Sequence, residues 1–472
     1  MILAFPRFDL PLLAPLALAP LLLAAARERR PGRRFLLGWA AGTVYWAGAC
    51  YWIQSVLTVH GAMSLATSWA AFALFAAAKA LHLALFTLLA GFLIQRAWAL
   101  AAVPALWVAI ESTHGSLGFA WHALGNAGID MDAPMRLAPI TGVWGLSFLF
   151  AATATALALT ILRRPRRQLA GILLLPLLYL LPPLPPPQPG DQTAVLAQPN
   201  ISESAAWTPQ FIDDIHRRLA SLSLGLAHGA SLIVWPEIPA PIYYYESARY
   251  RDAIDNLARQ TGAYLLLNVV PHDTESMPFN SALLVSPGGQ PVGRYDKMNL
   301  VPFGEFVPAP FKALVDKVST ETGDFAPGRR QVLLPAGQHR LGVFICYESV
   351  FPNFVRKFAA GGADLLINIS NDGWYGNSAA RYQHLKIVRM RAAENRRWLL
   401  RATNDGITST IDPAGRLHQN LPSYTAAATQ TSFSYLTSVT FYSRHGDWFP
   451  WLCAVLALGF LFLPIHPPAR AH

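Results

Sequence analysis

The residue in this chain with the most chemistry to offer is Cys346, in the stretch LGVFICYESVFP. The apolar run 341–345 before it predicts a buried strand, and residues 348–358 after it predict a helix. The thiol then sits at a strand-to-helix turn, where the positive end of a helix dipole favours thiolate. The chain has 3 cysteines. Cys50 and Cys453 fall in long apolar segments, so Cys346 has no disulfide partner in the polar part of the chain and stands as a candidate reactive group. The same facts fit an inert buried thiol, the state of most free cysteines. Two more stretches bring ionisable groups to strand ends. LIVWPEIPAP carries Glu237, and RYDKMNLVPFGEFVP carries Lys297 and Glu305.

Glutamate, lysine and cysteine in that order, each at a strand end, resemble the nitrilase superfamily. The wider pattern resembles its membrane-bound branch, the apolipoprotein N-acyltransferases. The stretches that carry the likeness are WPE at 235–237, K-x-x-LVPFGEFVP at 297–308, ICYE at 345–348 and NISNDGWYG at 368–376. Acyl transfer from an ester needs a nucleophile, a proton acceptor and an oxyanion site. The resemblance assigns these to Cys346, to Glu237 and to Lys297 with the Tyr347 backbone N–H. It gives Glu305 the part of orienting Lys297, and Glu348 that of a supporting carboxylate. Trp207 lies at the spacing before Glu237 where the family keeps a functional tryptophan.

The elements that must position these groups fall into two kinds. Of the 472 residues, 53% are hydrophobic and only 14% charged, with a mean hydropathy of +0.31. That is too apolar for a soluble protein and implies several membrane spans. Apolar segments run near residues 10–26, 35–57, 62–94, 98–110, 137–162 and 169–181, and a last one at 449–465 has Trp448, Phe449 and Trp451 at its entrance. Residues 182–189 are a proline-rich linker. The polar stretch 192–435 alternates strands (231–235, 263–270, 281–286, 341–345, 363–370) with helices (211–227, 247–260, 379–396), an α/β pattern. The resemblance makes it a nitrilase-like α-β-β-α sandwich. The expected domains are 1–190, about six transmembrane helices and the linker; 191–440, the catalytic domain; and 441–472, a C-terminal transmembrane helix and tail.

The net charge of +10 does not call for nucleic acid. Arg27, Arg29, Arg30, Arg33 and Arg34 crowd one short loop, and Arg163, Arg164, Arg166 and Arg167 another. Both loops lie between apolar segments, as the positive-inside rule requires of cytoplasmic loops. Six spans then put 191–440 in the periplasm of a bacterial inner membrane. Family members carry one more span at the start, with a cytoplasmic N-terminus; MILAFPRFD resembles the loop after that span, so a first helix is expected to be missing here. Lys79 and Glu111, within or near spans, read as snorkelling or paired with each other.

Lipid substrates call for apolar loop residues near the bilayer. Trp207, Tyr243, Tyr244, Tyr245, Phe303, Phe306, Trp374 and Tyr375 supply aromatics, as ordinary half-buried residues also would. Arg397 and Arg401 are candidates for a headgroup phosphate or for acidic neighbours. No GxSxG, phosphate-binding glycine loop, HExxH or metal-ligand histidine spacing is present, and the reaction needs no metal or cofactor. The resemblance implies a phospholipid donor, a diacylglyceryl apolipoprotein acceptor and a monomer. One rival is a membrane-tethered amidase or nitrile hydrolase using the same three residues with water as acceptor. Another is a transporter or scaffold whose outer domain only binds, against which the Glu-Lys-Cys set argues.

Overall fold

A computed structural model describes residues 1–115, 119–203, 205, 207–237, 243–273, 276–306 and 325–463. The chain divides into two compact units, one of residues 1–51, 69–183 and 445–472, the other of residues 52–68 and 184–444.

In the second unit, short β-branched and leucine-rich runs form strands because both their faces are covered. LLINIS, Leu365–Ser370, is buried along its whole length, the mark of a strand packed on two sides. Among the described residues, twelve strands make two sheets of six. They are β1 Gln192–Gln198, β2 Leu232–Val234, β3 Tyr264–Val269, β4 Ser281–Val285, β5 Pro291–Asp296, β6 Leu333–Ala336, β7 His339–Ile345, β8 Leu365–Ser370, β9 Leu399–Thr403, β10 Ser409–Ile411, β11 Leu417–Asn420 and β12 Ala427–Phe433. One sheet runs β12-β1-β2-β3-β4-β5 and the other β11-β10-β9-β8-β7-β6. In each, three central strands are parallel: β1, β2 and β3, and β7, β8 and β9.

Helices Pro209–Leu224 and Ala248–Thr261 cover the first sheet. Their Ile215, Leu219, Ile254, Leu257 and Ala258 join Val195, Ile233, Leu265 and Leu283 in one apolar core. Thr208 and Ser247 cap the two helices, each accepting a backbone N–H three residues on, as N-cap hydroxyls do. The second sheet carries helices Pro352–Ala360 and Ala380–Asn395. With β1 facing β9 and β4 facing β7, the layering is α-β-β-α, as the sequence resemblance implies.

The sequence-predicted helix at 348–358 is interrupted. Residues Cys346–Val350 form a 3-10 turn, Phe351 is extended, and the α-helix runs Pro352–Ala360. Pro352 accounts for the break, because the residue before a proline is pushed out of helical geometry. The α-helix dipole therefore does not begin at Cys346.

In the first unit, the helix Leu65–Leu93, which begins in the other unit, and Val143–Ile161 are long and apolar enough to cross a membrane; Pro11–Arg27 and Trp448–Phe462 are shorter apolar helices. The expected span 35–57 is cut. Its helix ends at Ala49, and residues 52–68 cluster with the second unit, where Trp52–Val59 is a helix of its own. The expected span 169–181 is a 3-10 helix, Arg166–Leu180, with Pro176 inside it. Proline clashes with the carbonyl four residues back in an α-helix. At about 2.0 Å per residue such a helix still reaches roughly 30 Å, the thickness of a hydrocarbon core. Arg34 is buried and turned inward, its Nε donating to the carbonyls of Ala25 (3.0 Å) and Glu28 (2.8 Å) at the end of the preceding helix. Lys79 and Glu111 do not find each other: Lys79 Nζ meets His114 Nδ1 at 2.7 Å and the Phe119 carbonyl at 3.0 Å, and Glu111 Oε1 accepts the Leu124 N–H at 2.7 Å. The motif tail at 307–308 and the end of the expected last span at 464–465 lie outside the described residues.

Candidate active site

The site is assembled from strand ends, where α/β sheets gather their functional groups. Cys346 follows β7 directly, Lys297 follows β5, Asn280 precedes β4, Asn371 follows β8, and Glu237 lies three residues past β2. Trp235 fixes that last exit, its N–H bonded to the Leu266 carbonyl and its Nε1 to Ser223 Oγ at 2.9 Å. Cys346 has φ +49, and a non-glycine residue held there is strained. The strain turns the chain sharply at the thiol.

Lys297, only 1% exposed, holds two carboxylates: Nζ lies 2.9 Å from Glu305 Oε1 and 3.3 Å from Glu237 Oε1. Asn280 Nδ2 donates to the same two oxygens, at 2.8 Å to Glu305 and 2.7 Å to Glu237. The remaining oxygens accept backbone N–H groups, Val301 on Glu305 (2.8 Å) and Asn371 on Glu237 (2.9 Å). Burial pulls the Lys297 ammonium down, but Glu237, then Glu305, outweigh it and hold the ammonium charged.

Cys346 is the opposite case. Burial, and after it the charge of Glu237, push the thiol up, while Lys297 and a hydrogen bond from Ser370 oppose them only in part. The resting sulfur is a thiol, contrary to the dipole-stabilised thiolate expected from sequence. A thiolate added beside two carboxylates and one ammonium would leave excess negative charge in a dry site. Moving the thiol proton onto Glu237 as the sulfur attacks adds none.

Glu348 ties the halves together. Its Oε2 accepts the Ile345 N–H at 2.8 Å, and its Oε1 accepts the Tyr295 hydroxyl at 2.7 Å and the N–H groups of Met298 (2.8 Å) and Asn299 (3.1 Å). One carboxyl so pins the Cys346 turn to the segment carrying Lys297. Burial pushes it up to about 7, against those hydrogen bonds. Tyr347 is buried with its ring edge-on to Phe351 at 5.3 Å.

The aromatic candidates divide. Trp374 packs on His60 at 4.5 Å, and Tyr375 lies edge-on to Trp52 at 5.2 Å. Burial first raises the Tyr375 hydroxyl, and Cys346 and Asp372 are among the groups around it. Trp207 is exposed and tilted against Phe211. Tyr243, Tyr245 and Phe303 are exposed, but Tyr244 is a core residue whose hydroxyl donates to Asp255 at 2.8 Å.

Arg397 is not a headgroup ligand. It is fully buried, and its guanidinium donates to the carbonyls of Ala363 (2.7 Å), Arg396 (3.3 Å) and Ser438. Arg401 takes the acidic alternative, with Nη2 on Asp372 at 3.0 and 2.8 Å. Asp372 also receives His384 Nδ1 at 3.1 Å, and His384 Nε2 reaches the Cys346 carbonyl at 3.2 Å. Asn280, Asn371, Asp372, His384 and Glu203 belong to the site's surroundings and were not singled out from sequence. Asn371 and Asp372 lie inside the NISNDGWYG stretch; Asn280 and Glu203 carry no motif of their own.

The chain matches the carbon-nitrogen hydrolase family over residues 194–431 and the apolipoprotein N-acyltransferase N-terminal domain over residues 1–156. Proteins named apolipoprotein N-acyltransferase are similar along nearly their whole length. The one from Geobacter metallireducens is 36% identical, over 98% of this chain and 94% of its own. Those from Azotobacter vinelandii (34%; 97% and 91%) and Pseudomonas syringae (32%; 94% and 92%) follow.

Proposed function

Because the chain belongs to the apolipoprotein N-acyltransferase family, we propose that it moves an acyl chain from a glycerophospholipid, through a thioester on Cys346, to the N-terminal amine of a diacylglyceryl-cysteine apolipoprotein. The observation that carries this reading is the buried Glu237–Lys297–Glu305 cluster beside a thiol that burial keeps protonated. Glu237 takes the thiol proton as sulfur attacks the ester carbonyl. Lys297 and the Tyr347 N–H receive the oxyanion. The C–O bond then breaks, Glu237 returns the proton to the leaving oxygen, and lysophospholipid departs. In the second half the amine attacks the thioester, Glu237 takes its proton, and that proton goes back to sulfur as the amide forms. Trp207, Trp374 and Tyr375 are the residues we assign to lipid contact.

The protein given phospholipid and no acceptor should gain one acyl mass, removable by neutral hydroxylamine and read by intact-mass spectrometry. Label acquired by Cys346→Ala would overturn the nucleophile assignment. Steady release of free fatty acid, with no transfer on adding a diacylglyceryl peptide, would make the protein a hydrolase.

The two long apolar helices, the shorter apolar ones and the arginine loops support a multi-pass inner-membrane protein with residues 191–440 in the periplasm. Arg217, exposed on helix Pro209–Leu224, offers a test. Arg217→Cys in intact spheroplasts should react with a membrane-impermeant maleimide. Reaction only after the membrane is opened would reverse the topology.

A further inference from the structure

We propose that Glu203 is a positioning residue for this reaction: its carboxylate, acting through Asn371, sets the proton affinity of the base Glu237. The proposal rests on Glu237 being that base. Glu203 lies in the segment after β1, which Asn404 clamps: the Asn200 N–H donates to the Asn404 carbonyl (2.8 Å), the Ile201 N–H to its Oδ1 (2.9 Å), and Asn404 Nδ2 to the Ile201 carbonyl (2.8 Å). From there Glu203 Oε1 accepts Asn371 Nδ2 at 2.6 Å. The Asn371 backbone N–H donates to Glu237 Oε2 at 2.9 Å. A single asparagine bridges two carboxylates.

The direction of that bridge is fixed. Asn371 Oδ1 accepts the Gly373 N–H and Asn404 Nδ2, both at 3.2 Å. Flipping the amide would lose both bonds and face its oxygen to Glu203, so Nδ2 must be the donor. Gly373 makes room for this arrangement, since a Cβ there would lie 2.5 Å from Glu203 Oε1. Among the described residues the charged groups facing Glu203 are Asp405, from the segment after β9, and Glu237, from the segment after β2; Asp405 itself meets Arg381 at 3.4 Å.

Burial, then the repulsion of Asp405 and Glu237, push the Glu203 carboxyl up to about 7, with the Asn371 bond opposing them. It therefore changes charge near neutrality, where an ordinary glutamate would not. When Glu203 ionises it pulls harder on Asn371 and adds negative charge beside Glu237, which makes Glu237 the stronger base. Acyl-enzyme formation should rise as pH passes upward through Glu203.

The experiment is the rate of acyl-enzyme formation on the full chain in detergent with phosphatidylethanolamine, followed by rapid-quench intact mass from pH 5.5 to 8.5. In the wild type the rate should climb roughly threefold to tenfold across a limb near pH 7, the effect of about half to one pKa unit felt in the proton transfer. Glu203→Gln keeps an oxygen for Asn371 but cannot ionise, so its rate should stay near the wild-type low-pH level with the limb gone. A merely structural role would lower the rate without changing the profile. Asp405→Asn removes a repelling charge and should shift the limb to lower pH while leaving it present; Asp405 is itself pushed up to about 6, so disappearance of the limb in this variant would overturn the proposal, as would its survival in Glu203→Gln or its absence from the wild type. Glu237→Gln keeps the two readings apart. It should form no acyl-enzyme at any pH, and acylation by that variant would overturn the base assignment itself.

Discussion

Lys297→Arg should be nearly as inactive as Lys297→Ala. If the lysine only balanced the charges of Glu237 and Glu305, a guanidinium would serve. The cluster leaves no such freedom. The lysine is 1% exposed, and its Nζ shares Glu305 Oε1 and Glu237 Oε1 with Asn280 Nδ2 at distances of 2.7–3.3 Å. A compact ammonium keeps a third donor for a developing oxyanion. A planar guanidinium is wider, has fixed donor directions and clamps one carboxylate side-on, which would pull Glu305 or Glu237 from its backbone partner. Loss of an aimed oxyanion donor costs about 3–4 kcal/mol, on the order of a hundred- to thousandfold in rate. The measurement is acyl-enzyme formation by wild type and both variants at matched expression. An arginine variant within about threefold of wild type, under ~1 kcal/mol, would mean that Lys297 supplies charge alone.

Asp372→Asn should be the most damaging single-atom change to stability. Asp372 and Arg401 are both fully buried and joined at 2.8 and 3.0 Å, with His384 and Ser370 bonded to the same carboxylate. Removing the negative partner strands a buried guanidinium, a loss of about 3–5 kcal/mol. For a domain of this size that is roughly 6–20 °C in Tm. Burial would raise the Asp372 carboxyl, but Arg401 foremost, then His384 and Arg381, hold it well below the usual aspartate value. A carboxyl lowered by folding contributes stability above its unfolded pKa, near 4, and loses it only as pH falls through the folded value. The gap between variant and wild type should therefore be the same at pH 6 and pH 8 in thermal unfolding. A gap under ~2 °C, or one that vanishes between those two pH values, would show that Arg401 finds another partner.

Cys346 and Glu237 were legible as candidates because each follows an apolar run, and such runs announce strands whatever the fold around them; Lys297 follows the polar strand Pro291–Asp296 and was legible only through its motif. What they share with their neighbours was not. Asn280 and Glu203 are short polar residues in loops, indistinguishable by type from solvated ones, and their importance comes from strands far apart in sequence meeting at one point. Charge misled in the same way. Helix Ala380–Asn395 is rich in charged residues, yet Arg381, His384, Arg391 and Glu394 are all buried in it. For Arg397 the sequence offers a headgroup phosphate or acidic neighbours, and its partners are backbone carbonyls that no sequence pattern marks. Hydropathy likewise ran residues 35–57 together as one span. Tertiary packing divides them, because Trp52 and His60 find aromatic partners on the loop after β8.

That division has a consequence for how the protein is made. Trp52 donates through Nε1 to Gln383 and packs on Tyr375, and His60 packs on Trp374. The ribosome reaches those partners more than three hundred residues after it has passed residue 60. At about 5–20 residues per second, the early segment waits on the order of 15–60 s before its aromatic seats exist. The second unit, which includes residues 52–68, therefore completes its packing only late in translation. It closes when a piece laid down near the beginning is finally met by one laid down near the end. A chain split between residues 68 and 184 and expressed as two fragments should therefore regain a finished active site only when both halves are present in the same cell.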